Sequence, residues 1–219
     1  MSWAKVFAVN SNMRKSLNEI MREMMYRPTR VITASGTYTP EKTGIYKVIC
    51  IGAGGKGGYS SSSNTYGASS GGGGGVAVKD IRLEKTTSYS VTVSTTASFS
   101  TYLTATSGAR GSSSTSIASG GTAVGGDYNY TGGAGRCTGE QSSDRPKGGS
   151  VGVVFPEMHR TLYYRYNDTI ELEYGDSILS YGGGGSGWGN YNASTNTYAG
   201  YGCDGLPAAI LVIPLEMEE

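Results

Sequence analysis

The chain contains very little of the chemistry that metal proteins and disulfide-stabilised proteins use. Its three cysteines, Cys50, Cys137 and Cys203, show no CxxC spacing, and only one histidine is present. A zinc centre or a disulfide framework needs clustered or paired ligands of these types, so we expect neither. Free buried thiols are the simplest interpretation, and a Cys137–Cys203 bridge between two glycine-rich segments stays open as an alternative.

Charged side chains are also scarce, at 16% of residues, and the 18 basic and 17 acidic residues nearly cancel. Binding of nucleic acid by phosphate neutralisation requires a basic surface, so no nucleic-acid partner is expected. No apolar run reaches 18 residues, which argues against membrane insertion by a helix. The first residues lack the apolar core of a secretory signal, so we expect synthesis and folding in a cytosol.

A dinucleotide-like pattern, G-x-G-x-x-G, occurs at Gly52, Gly54 and Gly57 directly after a strand-like run. The residues that follow, GYSSSSNTYGASS, form a poor helix, whereas this motif needs a helix N-terminus to receive the pyrophosphate. Lys56 is followed by Gly57 rather than by Ser or Thr, so a P-loop is absent as well. We expect no nucleotide cofactor.

Acid–base or nucleophilic chemistry has no better support. His159, in PEMHRT, has no nucleophile motif near it. Glu171 and Glu173 would lie on one face of a single strand, whereas the carboxylates of a glycosidase project from different segments. The sequence therefore predicts a protein without enzymatic activity, cofactor or metal.

Glycine is what the chain has in excess: 36 of 219 residues, against a usual share of about 7%. Three tracts hold most of it, 52–75, 120–152 and 182–205, each longer than ordinary connections. Since glycine is costly to order, we expect ordered tracts to use it where a Cβ would not fit. The hypothesis is a bundle of polyglycine II helices with N–H···O bonds between segments. No sustained Gly-x-x repeat is present, which excludes collagen.

One helix is predicted, over residues 10–27, with Pro28 preventing its continuation. Its apolar stripe is the candidate contact with a partner or sister subunit: Met13, Leu17, Ile20, Met21 and Met24. Residues 1–30 hold six basic residues against two acidic ones, a net charge of +4 that suits a docking surface. We therefore divide the chain into an attachment helix, 1–28, and a glycine-rich β domain, 29–219. A helix folded onto its own domain is the alternative.

Everything after Pro28 is typical of β and irregular structure, with strands predicted over Thr29–Ala34, Tyr46–Ile51, Val76–Leu83, Tyr89–Val93 and Ala208–Pro214. The charged tail is expected to fray. Leu162–Tyr174 is predicted to be a hairpin with a two-residue Asn167–Asp168 turn, which would place Tyr164 opposite Glu171 and Tyr163 opposite Leu172. The expected fold is mainly β, an antiparallel sandwich-like domain with glycine-rich loops and one short N-terminal helix.

Aromatic residues decorate the polar glycine tracts. Tyrosine and tryptophan provide stiff amphipathic contact surface, and Ser, Gly and Asn provide adaptable hydrogen bonding, which is the chemistry of a recognition loop. Aromatic rings also suit the apolar faces of sugars. The candidate receptor-binding residues are Tyr59, Tyr66, Tyr128, Tyr130, Trp188, Tyr191, Tyr198 and Tyr201. The alternative is that these rings fill the glycine lattice from within.

Three segments resemble glycine-rich tail proteins of bacteriophages and prophages: GTYTPEKTGIYKVICIGAGGKGG, GGGGGVAVKDIRLEKTTSYSVTV and ASFSTYLTATSG. The similarity covers Gly36–Gly111 and, more loosely, the final GLPAAILVI. The opening SWAKVFAVNSNMRKSLNEIM is similar to that of tail or fibre proteins from phages of Gram-positive hosts. The chain departs from the pattern at Glu84–Thr87, where Pro-Gly is usual, and in its serine-rich stretch after Thr106.

This resemblance implies a virion protein of the tail fibre or tail tip, assembled in the host cytoplasm. It further implies contact with other tail or baseplate subunits, a homo-oligomer with a trimer favoured, and distal loops that bind a host-surface glycan or protein. Two rivals remain: a baseplate adaptor or cap that touches only tail subunits, and a non-viral glycine-rich extracellular or ice-binding module.

Overall fold

The computed structural model describes residues 30–58, 69–112, 116–136, 202 and 204–218, together with the short pieces 163–164, 170–171, 181–184, 190–192 and 197–199. These residues are mainly β, and none of them is helical. The predicted helix over 10–27, with Met13, Leu17, Ile20, Met21 and Met24, lies outside the described residues, as do Cys137 and Cys203.

Fourteen short strands make up the described β structure: β1 Arg30–Ile32, β2 Gly36–Tyr38, β3 Gly44–Ile51, β4 Val76–Leu83, β5 Tyr89–Val93, β6 Ala97–Phe99, β7 Leu103–Ala105, β8 Ala123–Val124, β9 Tyr128–Tyr130, β10 Tyr163–Tyr164, β11 Ile170–Glu171, β12 Asn190–Asn192, β13 Thr197–Ala199 and β14 Ala209–Met217. All of their pairings are antiparallel. One sheet has the order β1-β14-β3-β4-β9 and the other β2-β5-β6-β7-β8, and β10-β11 and β12-β13 are separate pairs.

The two five-stranded sheets share one hydrophobic core, which gives a sandwich-like arrangement. Alternate residues of β3, such as Val48 and Cys50, face Phe99 and Leu103 of the second sheet, and all four are almost completely buried. The period-two alternation of burial in β5 has the same cause, since one face of that strand packs on this core. β14 is buried on both faces, because Ile210 packs on this core and Leu211 on a second cluster. This second cluster, around Ile49 and its neighbours, covers the opposite face of the first sheet.

The C-terminal tail corrects an expectation, because it does not fray after Pro214. β14 continues to Met217, with a register shift between Pro214 and Glu216 that lets the ladder with β3 resume. Beyond the strand, the Glu218 N–H donates to the Thr43 carbonyl at 2.9 Å. The carboxylate of Glu218 also accepts hydrogen bonds from Arg82 at 2.7 Å and 3.0 Å. The acidic tail is therefore held to the sheet by a basic partner on β4.

The predicted register of the 162–174 hairpin is wrong by one residue. Tyr163 pairs with Glu171 and Tyr164 with Ile170, so five residues separate the innermost described pair. The predicted turn at Asn167–Asp168 itself lies outside the described residues. A one-residue slip moves side chains to the other face, so Tyr163, and not Tyr164, lies opposite Glu171.

Between the strands the chain forms an array of extended segments, which we call the lattice: L1 52–58, L2 69–75, L3 106–112, L4 116–122, L5 131–136, L6 181–184 and L7, residues 202 and 204–207. At every third residue a backbone N–H of L1, that of Gly52, Gly55 and Gly58, donates a hydrogen bond to a carbonyl oxygen of L2, with N···O distances of 2.8 to 3.0 Å. A period of three is that of the polyglycine II helix. The inter-segment hydrogen bonds predicted from the glycine tracts are therefore present in the described residues.

L2 lies at the centre of the lattice. It accepts N–H groups from L1 and L4 and donates its own to L3, L5 and L6, all at 2.7 to 3.1 Å. Every residue of L2 is buried. A backbone N–H or C=O group that is buried away from water needs a hydrogen-bond partner. L2 has almost no side chains, and it can form the interior of the lattice because five neighbouring segments supply those partners.

Candidate binding surface at the distal end of the lattice

Glycine occurs in the lattice where one backbone crosses close to another. A Cβ on Gly55 would approach the Ala109 carbonyl oxygen, and one on Gly74 the Gly52 carbonyl oxygen, well inside the 3.0 Å that real Cβ atoms essentially never show. Gly52 and Gly54 of the dinucleotide-like pattern are in the same situation. Close packing of the backbones therefore explains why glycine occurs at these two positions, without a bound nucleotide.

In part of the lattice, residues larger than glycine occupy the outward positions. In L5 the pattern is plain, since Gly132 and Gly135 are buried while Thr131 and Ala134 are exposed. L3 and most of L4 lie outside the three glycine tracts of the sequence, yet they are lattice segments. A sequence signal for L3 is the pair of glycines three residues apart, Gly108 and Gly111. L5 has the same spacing at Gly132 and Gly135.

The lattice has two unlike ends. At the end near the sandwich, every segment except L6 continues into or out of a described strand, as Gly52 follows β3, Gly75 precedes β4 and Thr106 follows β7. At the other end, which we call the distal end, Gly58, Ser69 and Ser112 are joined by consecutive bonds of 2.8 and 3.1 Å. The chain leaves the lattice and returns to it at this end, before and after residues 59–68 and 113–115.

Two further intervals belong to the distal end. L5 reaches it at Arg136, which accepts a hydrogen bond from the Ser70 N–H at 2.8 Å. L6 runs toward it from Gly182, and L7 starts there at Gly202, where a Cβ would meet the Gly57 carbonyl oxygen. Residues 137–162 and 185–189 therefore follow segments that run toward the same end of the lattice.

Six of the eight candidate receptor-binding residues lie, along the sequence, between residues at which the chain leaves the distal end and returns to it. Tyr59 and Tyr66 lie between Gly58 and Ser69, and the others, Trp188, Tyr191, Tyr198 and Tyr201, lie between Gly184 and Gly202. Tyr191 of β12 is paired directly with Tyr198 of β13. Residues directly opposite each other in an antiparallel pair lie on the same face, so the structure brings these two together. Tyr59, Tyr66, Trp188 and Tyr201 lie outside the described residues.

The remaining two, Tyr128 and Tyr130, lie on β9, at the sandwich end of the lattice. Tyr128 is 62% exposed, whereas Tyr130 is half-buried and packs against the cluster around Ile49. A six-step polyglycine II segment is about 19 Å long at about 3.1 Å per residue. The structure thus separates these tyrosines from the distal end by roughly the length of the lattice.

Two buried serines that the sequence analysis missed fix the distal end. The Ser69 and Ser70 side chains are fully buried, and Ser69 Oγ accepts the Ser112 N–H at 2.8 Å. Ser70 Oγ accepts the Arg136 N–H at 2.7 Å. Each serine therefore ties L2 to the last turn of a neighbouring segment. In the sequence they stand in ASSGGGGG, where nothing distinguishes them from loop serines.

Charge near the distal end is sparse and basic on balance. Lys56 Nζ of L1 lies 2.7 Å from Asp204 Oδ1 of L7, and Arg110 and Arg136 are exposed. Among the described residues no three His, Cys, Asp or Glu side chains are grouped so that they could hold a metal ion. In that same part of the chain, no helix is long and apolar enough to cross a bilayer.

Several groups with shifted pKa values lie in the sandwich. Burial raises the pKa of the Cys50 thiol to about 12, and burial, followed by the nearby Tyr46, raises the pKa of Tyr38 to about 12. On the surface, hydrogen bonds from the Asp80 N–H and the Lys79 ammonium lower the pKa of Asp127. The Cys50 thiol is buried in the core between the sheets, and Tyr38 is half-buried and packs against that core.

The profile of one protein family, described as a glycine-rich domain, matches residues 32–210. The chain belongs to this family. The matched range includes β2 to β13, the first two residues of β14 and every lattice segment, so the family's glycine richness corresponds here to a folded lattice. A comparison with curated proteins finds no match to the chain.

Proposed function

We propose that this protein is a tail-fibre or tail-tip protein of a bacteriophage, and that the distal end of its lattice binds a glycan on the host-cell surface. The observation that carries the proposal is that the two ends of the lattice differ. The intervals that hold six of the eight candidate aromatic residues adjoin the distal end, while the sandwich occupies the other end. The resemblance of Gly36–Gly111 to phage tail proteins supplies the biological setting.

The position of the chain termini supports this orientation. Arg30, where residues 1–29 join the domain, pairs with Val212 in the sheet, and β1 then runs toward the lattice to Ile32. Met217 pairs with Gly44, at the end of the sheet far from the lattice. Both termini therefore connect at the sandwich. Attachment through residues 1–28 to tail subunits would leave the distal end pointing away from the particle.

The chemistry of the distal intervals favours a sugar over a charged ligand. Six aromatic residues stand there among Ser, Gly and Asn, and stiff aromatic surface with small polar neighbours suits recognition at low entropic cost. The described residues beside them include only a few charges: Lys56 is paired with Asp204, and Arg110 and Arg136 are exposed. A neutral or weakly acidic glycan fits that balance. The role is one of binding, with no catalysis.

A matched pair of variants of the full chain tests the proposal. Tyr191→Ala with Tyr198→Ala removes the paired distal tyrosines, and Tyr128→Ala removes an exposed tyrosine at the sandwich end. With fluorescently labelled protein on an array of bacterial surface glycans and on a panel of bacterial cells, we expect the double variant to bind at least about tenfold more weakly, as hot-spot aromatics do. The Tyr128 variant should bind like the wild type.

Three outcomes would overturn parts of this proposal. Equal loss in both variants would remove the distal end as the binding surface, and binding to cells but to no glycan would favour a protein receptor. Normal adsorption by particles that lack the chain would exclude host attachment altogether. In that last case, an electron micrograph of particles labelled on this chain distinguishes a buried adaptor from a protruding fibre.

A further inference from the structure

Charged side chains are rare in the lattice, and the basic ones outnumber the acidic ones. Lys56 of L1 is paired with Asp204 of L7 at 2.7 Å, so these two charges cancel. Arg110 of L3 and Arg136 of L5 are exposed, and neither forms an ion pair within the part of the chain that the structure describes. The two arginines therefore set the net charge of the described lattice.

Both arginines lie close to the distal end, one on each side of L4. The N–H of the residue before Arg110 donates to the Ser119 carbonyl at 2.9 Å. The N–H of the residue before Arg136 donates to the Ala118 carbonyl at 2.8 Å. Hydrogen-bonded extended segments lie about 5 Å apart, so L3 and L5 lie within about 10 Å of each other across L4. Two long arginine side chains can reach one ligand over that width.

The main chain that carries each arginine is held by a buried serine. Ser70 bonds to Arg136 twice, since its N–H donates to the Arg136 carbonyl at 2.8 Å and its Oγ accepts the Arg136 N–H at 2.7 Å. Ser69 holds L3 in the same way two residues beyond Arg110, through the carbonyl of Ser112 at 3.1 Å and its N–H at 2.8 Å. Groups that are fixed before binding lose less freedom when a ligand arrives.

No acidic side chain of the described lattice opposes an anion between the two arginines. Asp204 is the only acidic residue there, and it lies on L7, which bonds to L1 and L6. Between the arginines, L4 exposes Ile117, with Ser116 and Ser119 beside it. An anion at this place therefore meets positive charge from both sides, next to a small surface that is partly apolar and partly hydroxylated.

We propose that Arg110 and Arg136 form an anion subsite that binds the carboxylate or phosphate groups of an acidic glycan. The guanidinium group is planar, stays charged at physiological pH and binds either acid through two parallel hydrogen bonds. Ser69 and Ser70 are positioning residues. This inference rests on the proposed function, because it names the class of glycan that the distal end takes. The aromatic residues would contact sugar rings, and the arginines select the sugars that carry an acid.

The test uses the full chain and an array of bacterial surface glycans sorted into members with uronic acids, members with phosphates and uncharged members. The wild type should prefer the charged members, and whichever of the two charged groups it binds more tightly identifies the acid. Arg110→Gln with Arg136→Gln removes both guanidinium groups. We expect it to bind the acidic glycans at least about tenfold more weakly, since hydrogen bonds to charged groups contribute that much.

A matched control removes the same amount of charge from the other end of the molecule. Arg30→Gln with Lys42→Gln changes two exposed basic side chains of the sandwich, and this variant should bind acidic glycans like the wild type. Affinity of the wild type for acidic glycans should also fall as NaCl is raised from about 0.05 M to about 0.5 M, because salt screens exposed charges. Its affinity for uncharged glycans should not change.

Several outcomes would overturn the anion subsite and leave the proposed function standing. These are binding of the wild type to uncharged glycans only, equal affinity of the wild type and the Arg110/Arg136 variant for acidic glycans, and equal loss in the Arg30/Lys42 control. A wild type that binds no glycan overturns both proposals. If the arginine variant does not fold, the salt series on the wild type decides, and binding of acidic glycans that does not depend on salt contradicts the subsite.

Discussion

The sandwich and the lattice are both close-packed, but side chains fill the interior of the sandwich and backbone fills the interior of the lattice. In the sandwich, side chains such as Phe99, Leu83 and Ile210 fill the interior and are almost completely buried. In the lattice, L2 is buried just as fully with hardly any side chains. Apolar surface removed from water contributes about 25 cal/mol per Å² in the first region, whereas inter-segment hydrogen bonds, net about 1 kcal/mol each, hold the second.

The comparison shows that each region is vulnerable to the opposite change. Removing atoms damages a core of side chains, because it leaves a cavity. Adding atoms damages a lattice of backbones, because the neighbouring carbonyl oxygen has nowhere to go. The same small substitution should therefore be harmless in one region and severe in the other, and the predictions below follow from this contrast.

Phe99→Ala should have the largest effect, since it empties the centre of the sandwich, where Phe99 stacks on Tyr89 at 5.7 Å. We expect a loss of about 3–5 kcal/mol in the free energy of unfolding, measured by urea denaturation. Tyr102→Ala, at a side chain 39% exposed, is the control. A loss for Phe99→Ala no larger than for the control would show that the sandwich core is not the main source of stability.

Gly74→Ala adds one methyl group at the centre of the lattice, against the Gly52 carbonyl. We expect a loss of about 3 kcal/mol, at the upper end of what overpacking costs, from thermal and urea unfolding. The matched control is Gly36→Ala in β2, where nothing lies within 4 Å of the added atom. That change should be neutral or slightly stabilising, and similar losses at both positions would contradict a lattice in which close approach requires glycine.

Ser69→Ala tests the ties at the distal end. It removes the oxygen that accepts the Ser112 N–H and leaves this donor without its side-chain acceptor, at a cost of about 1–3 kcal/mol. Ser94→Ala, at an exposed position in the sandwich, should cost far less. Hydrogen exchange of Ser112 should accelerate in the Ser69 variant alone, and an unchanged rate would show that the serine does not hold L3 in place.

The effect of ionising the Cys50 thiol appears only at alkaline pH. The pKa of its thiol is raised from 9.0 to about 12 by burial, so the unfolded chain releases this proton at a lower pH than the folded one does. Its contribution to stability should therefore be constant below about pH 9 and decline as the pH rises toward 12. In Cys50→Ala, the free energy of unfolding measured with urea should decline less steeply between pH 9 and 12 than in the wild type. An identical pH dependence in the two proteins would contradict the raised pKa.

The sequence predicts the sandwich strands well because apolar alternation is a local signal. β4 and β5 match their predicted bounds, and β3 and β14 extend theirs. The register of the 162–174 hairpin was wrong, because Asn167–Asp168 signals a turn without determining how many residues it contains. The tail was expected to fray because Glu216 and Glu218 are charged, and the sequence does not show that Arg82 of β4 lies beside Glu218.

The lattice could be predicted only in part. Three glycine tracts indicate backbone packing, but L3 and most of L4 contain too few glycines to be noticed, since only positions that face a neighbouring backbone require one. Neither segment of a long-range pair such as Gly72 with Ala109 shows in its own sequence which other segment it pairs with. For the candidate site, the aromatic residues could be selected by composition, whereas the division of that set between the distal end and β9 follows from the topology.

Amide hydrogen exchange of the lattice glycines, followed by NMR at neutral pH on the intact chain, tests the central claim most directly. If the lattice is a rigid hydrogen-bonded platform, the amides of Gly72, Gly73 and Gly75 should exchange as slowly as those of β3, because both open only in large cooperative unfolding. Exchange of these glycines at the rate of an unstructured peptide, with β3 still protected, would contradict it.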